Sequence, residues 1–179
     1  MESSVVIAGF GGQGVILAGK ILAQAGMDSG LEVTWLPSYG PEMRGGTANC
    51  TVVLSDAPVG SPIVDEPTAV IAMNLPSLEK FESVVAKGGV LIVNRSLIER
   101  PVRRTDLASF ALPINDLALR AGNARTGNMV ALGAYARATG IVSLERIKAA
   151  MAAALQSSGK DKLIAVNEKA LEEGFAAAS

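Results

Sequence analysis

Histidine is absent from this 179-residue chain, and cysteine occurs once, at Cys50. Together these gaps exclude much of the chemistry that one polypeptide can perform alone. There is no Ser-His-Asp triad, no His-ligated zinc and no haem on a proximal His, and one thiol cannot hold an all-cysteine iron–sulfur cluster. If the chain takes part in a redox reaction, the redox centres lie elsewhere. Aromatic residues are sparse, at 4%, and neither sign of charge dominates: 16 basic against 17 acidic residues give a net charge of −1. That balance gives no general attraction to nucleic acid or to an anionic membrane, while remaining compatible with a local anion site. No apolar run approaches the roughly 18 residues of a membrane span. The opening MESSVV lacks the basic segment of a signal peptide. The expectation is a soluble, cytoplasmic protein with no membrane or nucleic-acid partner.

Hydrophobic residues make up 49% of the chain and charged residues 18%, which is the composition of a folded domain rather than a disordered segment. A mean hydropathy of +0.35 fits either an alanine-rich core or a surface destined for burial against a partner. The length suits one domain over residues 1–179. Apolar runs of strand length alternate with helical segments, which predicts a single Rossmann-like α/β domain: a largely parallel sheet flanked by helices, with a helical C-terminal region. Strands are expected over residues 4–9, 31–36, 48–54, 68–74, 89–94 and 109–115, the last broken or edged by Pro113. The first two enclose a helix over 15–27 and form a βαβ unit. A second helix is expected to begin at Ser77 as N-cap and to end at Gly88-Gly89. In residues 143–156, Leu144, Ile147, Met151, Ala154 and Leu155 share one face. A final helix over 161–173 is expected to stop at Gly174.

The first strand runs directly into Gly9-Phe10-Gly11-Gly12-Gln13-Gly14, which fits the G-x-G-x-x-G dinucleotide fingerprint in its strand–turn–helix context. Glycines permit a tight turn, and free N–H groups at a helix N-terminus attract an anion such as a phosphate. The plainer reading is that they only let the helix sit close to the sheet. A nicotinamide site also needs an Asp or Glu at the end of the second strand to read the ribose. Here that strand ends Trp35-Leu36-Pro37-Ser38-Tyr39 without an acid; Asp28 and Glu32 lie at its other end, and Arg44 lies too far into the next loop to serve a 2′-phosphate. The fingerprint is present and its ribose reader is missing.

The loop Ser38-Tyr39-Gly40-Pro41-Glu42-Met43-Arg44-Gly45-Gly46 combines turn formers with an aromatic, an acid and a guanidinium beside two glycines. Arg44 next to Gly45 and Gly46 can present a fork to a phosphate or carboxylate, or can pair with Glu42 to stiffen the loop. GFGGQGV near the start, YGPEMRGG at 39–46, ARTGNMVALG at 124–133 and NEKA at 167–170 ahead of Gly174 together resemble the gamma subunit of 2-oxoacid:ferredoxin oxidoreductases. The four marks stand in order over nearly the whole chain, and the length is similar to that of a stand-alone gamma subunit.

The resemblance implies a part in the CoA-dependent oxidative decarboxylation of a 2-oxoacid to an acyl-CoA, with electrons passed to ferredoxin. It implies alpha- and beta-type partner chains that hold thiamine diphosphate and magnesium, iron–sulfur clusters on beta- or delta-type chains, and no catalytic residue or metal ligand on this one. The candidate contacts to CoA, or equally to a partner subunit, are Gly11, Gly12, Gln13, Gly14, Tyr39, Arg44, Gly45 and Gly46. The small subunit of an indolepyruvate:ferredoxin oxidoreductase is similar in both loops. From another class, a free-standing nucleotide-binding regulator or NAD(P) dehydrogenase shares only the glycine motif. Among weaker features, Thr126 or Asn128 is expected to cap the helix that follows, Arg100-Pro101-Val102-Arg103-Arg104 reads as a solvated turn, and Cys50 as a buried small hydrophobe.

Overall fold

The computed structural model describes residues 1–39 and 47–179. In chain order the elements are β1 (Glu2–Phe10), α1 (Val15–Asp28), β2 (Glu32–Tyr39), β3 (Thr47–Ser55), β4 (Ala69–Ala72), α2 (Leu75–Phe81), β5 (Val90–Asn94), β6 (Ala108–Leu112), α3 (Ile114–Ala121), α4 (Gly127–Thr139), α5 (Leu144–Ser157) and α6 (Ile164–Ala177). The six strands form one sheet in the order β2-β3-β1-β4-β5-β6. β1 lies inside the sheet, and its residues Ser3 to Gly9 are all buried, as its unbroken apolar run requires of a strand covered on both faces.

Pairings from β1 through β4 and β5 to β6 are parallel, whereas β3 runs antiparallel to both β1 and β2. Five strands therefore point one way, as expected, and the sixth makes the sheet mixed. The expected β1–α1–β2 unit exists, but its strands are not neighbours: the crossover skips one place, and the returning β3 fills it. Alternate residues of each strand face opposite sides. Val5, Ile7, Cys50, Val52, Leu54, Ile71, Met73 and Ile92 point into the larger core beneath α1, α3, α4, α5 and α6. Val6, Ala8, Val70, Ala72, Leu91 and Val93 point to a smaller one closed by Leu78 of α2 with Val85 and Ile98.

Three local expectations change. α2 is capped by Asn74, whose Oδ1 accepts the N–H of Ser77 at 2.9 Å; Pro76 then falls in the first turn, where no N–H is needed. α2 ends at Phe81 and is followed by a 3-10 turn over Glu82–Val84, so it stops well short of Gly88-Gly89. Gly174 does not end the last helix but lies buried inside α6. A Cβ on Gly174 would run into the carbonyl oxygen of Val130, and one on Gly133 into that of Leu171. These two glycines let the backbones of α4 and α6 touch. Ser143 caps α5 by accepting the N–H of Arg146 at 3.3 Å, and the expected face of α5 buries Ile147, Met151 and Leu155 together with Ala150.

The segment 100–104 is a clasp rather than a free basic turn. Glu82, buried beneath it, accepts Arg100 Nη2 at 2.8 Å and the backbone N–H groups of Arg103 and Arg104. Arg104 adds a donation to the carbonyl of Val85 and an ion pair with Asp106. Burial disfavours the Glu82 anion, but those donors outweigh it and hold its carboxyl below the usual glutamate range.

Candidate functional site: the glycine turn at the carboxyl edge of the sheet

Open α/β sheets bind ligands beyond the carboxyl ends of their parallel strands. At that edge β1 ends at Phe10, β2 at Tyr39, β4 at Ala72 and β5 at Asn94, and β3 begins there at Thr47. The glycine motif forms the turn from β1 into α1. Gln13 N–H donates to the Phe10 carbonyl at 3.1 Å, and Gly12, at φ 94, takes the place in that turn that suits glycine. Gly14 is the N-cap of α1, left-handed at φ 72, and makes no side-chain cap. Gly12 faces open space. The N–H groups of Gly11, Gly12 and Gly14 find no acceptor among the described residues. The turn therefore offers donors at the positive end of a 14-residue helix.

Side chains from elsewhere hold this shape. Gln13 folds back so that its Oε1 accepts the Phe10 N–H at 2.6 Å, while its Nε2 donates to the Met73 carbonyl at 3.3 Å. Gly9 makes room for it: a Cβ there would lie 2.5 Å from Gln13 Oε1 and 2.9 Å from Met73 Cβ. Asn94 Nδ2 donates to the same Met73 carbonyl at 3.3 Å and to Asn115 Oδ1 at 3.0 Å. A chain of amides thus runs along the edge from α3 through the ends of β5 and β4 to the glycine turn. On the other flank Asn128, in the first turn of α4, donates its Nδ2 to the Gly14 carbonyl at 3.1 Å. Its Oδ1 accepts the Met129 N–H at 3.0 Å. That bond is to the next residue inside the helix, so the expected side-chain cap on α4 is not formed; Asn128 instead makes a long-range contact that the spacing of the motif does not announce. Thr126 gives α4 no side-chain cap; its hydroxyl donates to the Asn123 carbonyl.

Of the eight candidate contacts, Gly11, Gly12, Gln13 and Gly14 form this turn. Tyr39 stands at the same edge, 58% exposed, and Ala48 pairs with Gly9 on one side and Tyr39 on the other. Tyr39 is thus two strand spacings from β1, about 10 Å. Arg44, Gly45 and Gly46 fall outside the described residues, which resume at Thr47, opposite Phe10. Phe10, Leu75 and Leu97 add exposed apolar side chains along the carboxyl edge.

Among the described residues no group of three or more Cys, Asp or Glu side chains could hold a metal ion. Cys50 is buried in β3 facing α1, and burial pushes its thiol up to about 12. No helix of the described residues is long and apolar enough to cross a membrane. A groove between α1 and α5, lined by Leu17, Lys20, Ile21, Ala154 and Leu155, lies along the flank of α1.

The family model described as pyruvate ferredoxin/flavodoxin oxidoreductase matches residues 4–177. The chain belongs to that family. It is 41% identical over 173 residues to the ketoisovalerate oxidoreductase subunit VorA of Methanothermobacter marburgensis, covering 97% of this chain and 36% of that relative. The chain thus spans about a third of the length of that protein. It is 31% identical over 175 residues to the 2-oxoglutarate synthase subunit KorC of Methanocaldococcus jannaschii, covering 96% and 94% of the two. The crystal structure of the keto/oxoacid ferredoxin oxidoreductase gamma subunit from Geobacter sulfurreducens superimposes with a TM-score of 0.84 at 31% identity, over 98% of each chain. Three of the marks that carry the gamma-type resemblance are adjacent in this fold. The glycine turn meets the ARTGN segment through Asn128 and Gly14, and the helix that ARTGN opens crosses the one carrying NEKA and Gly174.

Proposed function

We propose that the chain serves as the gamma subunit of a multi-subunit 2-oxoacid:ferredoxin oxidoreductase, in which a 2-oxoacid is oxidatively decarboxylated to an acyl-CoA and ferredoxin takes the electrons. The observation that carries this reading is the match of residues 4–177 to the oxidoreductase family. Thiamine diphosphate, magnesium and the iron–sulfur clusters are assigned to alpha-, beta- and delta-type partners. The missing histidine, the single buried thiol and the lack of a metal-binding side-chain group among the described residues support that division. The subunit contributes structure and substrate contacts, and it is inactive alone.

Its role toward CoA is assigned to the carboxyl edge. CoA carries a pyrophosphate and a 3′-phosphate, and the open N–H groups of Gly11, Gly12 and Gly14 at the start of α1 suit either of them. Gln13 shapes the turn, while Tyr39, Arg44, Gly45 and Gly46 complete the contact from the following loop. Arg44 supplies the charge. The exposed Phe10, Tyr39, Leu75 and Leu97 along the carboxyl edge are assigned as surface to be covered by a thiamine-binding partner. In the assembled complex, Arg44→Ala should raise the KM for CoA by about tenfold or more, the loss expected for one charged hydrogen-bonding partner, without changing thiamine diphosphate binding. An unaltered CoA dependence in a correctly assembled complex refutes the CoA assignment.

A further inference from the structure

We infer that Asn128, assisted by Gln13, is a positioning residue for the glycine turn: it fixes the donor-out shape on which anion binding depends, although it lies 114 residues along the chain from Gly14. The inference rests on the CoA reading above and deepens it. A segment with glycines at 9, 11, 12 and 14 has wide conformational freedom, and α1 has no side-chain cap of its own to pin its first turn. Asn128 supplies that pin from α4. Its Nδ2 bonds the Gly14 carbonyl, which also accepts the Ala18 N–H at 3.0 Å, so two donors fix one oxygen. Its Oδ1 is engaged by the Met129 N–H, which sets the orientation of the amide.

The space is also shaped for it, since a Cβ on Gly14 would collide with the Asn128 amide. Asn128 is 7% exposed, so its hydrogen bond is shielded from water. On the opposite flank Gln13 occupies the Phe10 N–H and the Met73 carbonyl. Both side chains satisfy backbone groups around the turn, while the N–H groups of Gly11, Gly12 and Gly14 find no acceptor among the described residues. A turn held in its bound shape before the ligand arrives loses less entropy on binding, and that difference is read in affinity.

The decisive variant is Asn128→Asp in the assembled complex. Aspartate keeps the shape and the acceptor for Met129 N–H, but it replaces the Nδ2 donor with a carboxylate oxygen facing the Gly14 carbonyl. The expected result is a KM for CoA raised about five- to tenfold, with kcat at saturating CoA within about twofold and the 2-oxoacid KM unchanged. Hydrogen exchange over residues 10–18 should quicken. Gln13→Glu, which removes the donation to Met73, should act in the same direction. Asn123→Ala removes only the local cap on Arg125 N–H and should leave both readings at the wild-type level.

Gly11→Asp tests the CoA reading separately by placing a carboxylate on the exposed part of the turn, at a glycine whose φ lies outside the left-handed region. If it raises the CoA KM while Asn128→Asp does not, the positioning role is overturned and the CoA reading stands. If neither variant moves the CoA KM, both fall. Unchanged exchange over residues 10–18 in Asn128→Asp overturns the positioning role whatever the kinetics show.

Discussion

Replacing Gly174 by alanine should destabilise the protein even though alanine is the better helix former. In an exposed helix interior the change would stabilise by about 1 kcal/mol. Within α6 it places a methyl group inside the contact radius of the Val130 carbonyl oxygen, and a backbone atom cannot turn aside as a side-chain tip can. α4 has little room to retreat, because every residue from Gly127 to Ala136 is buried. Separating the helices would also open the packing of Val130, Met129, Ala170 and Leu171 in the main core. Overpacking of this kind costs about 1–3 kcal/mol and sometimes more. Two backbones in contact put it at the upper end, leaving a net loss of about 2 kcal/mol after the propensity gain. For a domain of this size that lowers Tm by roughly 4–8 °C.

Thermal denaturation followed by circular dichroism, with Gly127→Ala as the comparison, provides the measurement. A Cβ on Gly127 would meet only the ends of side chains, Ile114 Cγ2 at 3.3 Å and Met73 Cε at 3.6 Å, so that variant should stay within about 2 °C of wild type. A Tm for Gly174→Ala equal to or above wild type would refute direct backbone contact between α4 and α6, and with it the reason for glycine at 133 and 174.

Two other expectations concern charge and ligand choice. The folded-state pKa of Glu82 is lowered, so its ionised form adds stability above the ordinary glutamate value and loses it as pH falls through the folded value. Glu82→Gln should therefore unfold at lower urea than wild type at pH 7, by about 1–3 kcal/mol, with the gap narrowing below about pH 4; an equal gap at both pH values would contradict the clasp. Calorimetric titration of the purified chain with NAD and NADP should give no saturable heat up to about 1 mM, and tight, specific binding would restore the dinucleotide reading.

Strand and helix positions were legible because each is set by local pattern: the buried run of β1, the one-faced stripe of α5 and the serine that caps it. The errors arose where a local signal had a tertiary meaning. Gly174 looks like a helix stop, because glycine usually is one, yet here it serves a crossing helix that no neighbouring residue reveals. Ser77 is a reasonable cap by type, but Asn74 three residues earlier is better placed once Pro76 is allowed inside the first turn. The basic segment 100–104 read as solvated because its partner, Glu82, lies about 20 residues away. At the site, the glycine turn was visible as a motif, and Asn128 only as a candidate cap that α4 does not use. The bond between them was not, since nothing in either segment encodes the other's position.

The position of β3 separates this turn from the dinucleotide sites whose motif it shares. In those folds the strand beside the glycine turn is the next parallel one, and its end carries the acid that reads the ribose. Counting residues from Gly14 to the end of β2 gives nearly the same spacing here, so a count alone cannot distinguish the two arrangements. In this sheet, however, the neighbour of β1 is β3, entering antiparallel with Thr47 opposite Phe10, and the end of β2 is one strand further out. An acid at position 39 would stand about 10 Å from β1, beyond direct reach of a ribose seated in the usual way on the turn. Inserting β3 thus removes the neighbouring parallel strand end from which a ribose is read in those folds, independently of the missing acid, and retains the helix N-terminus.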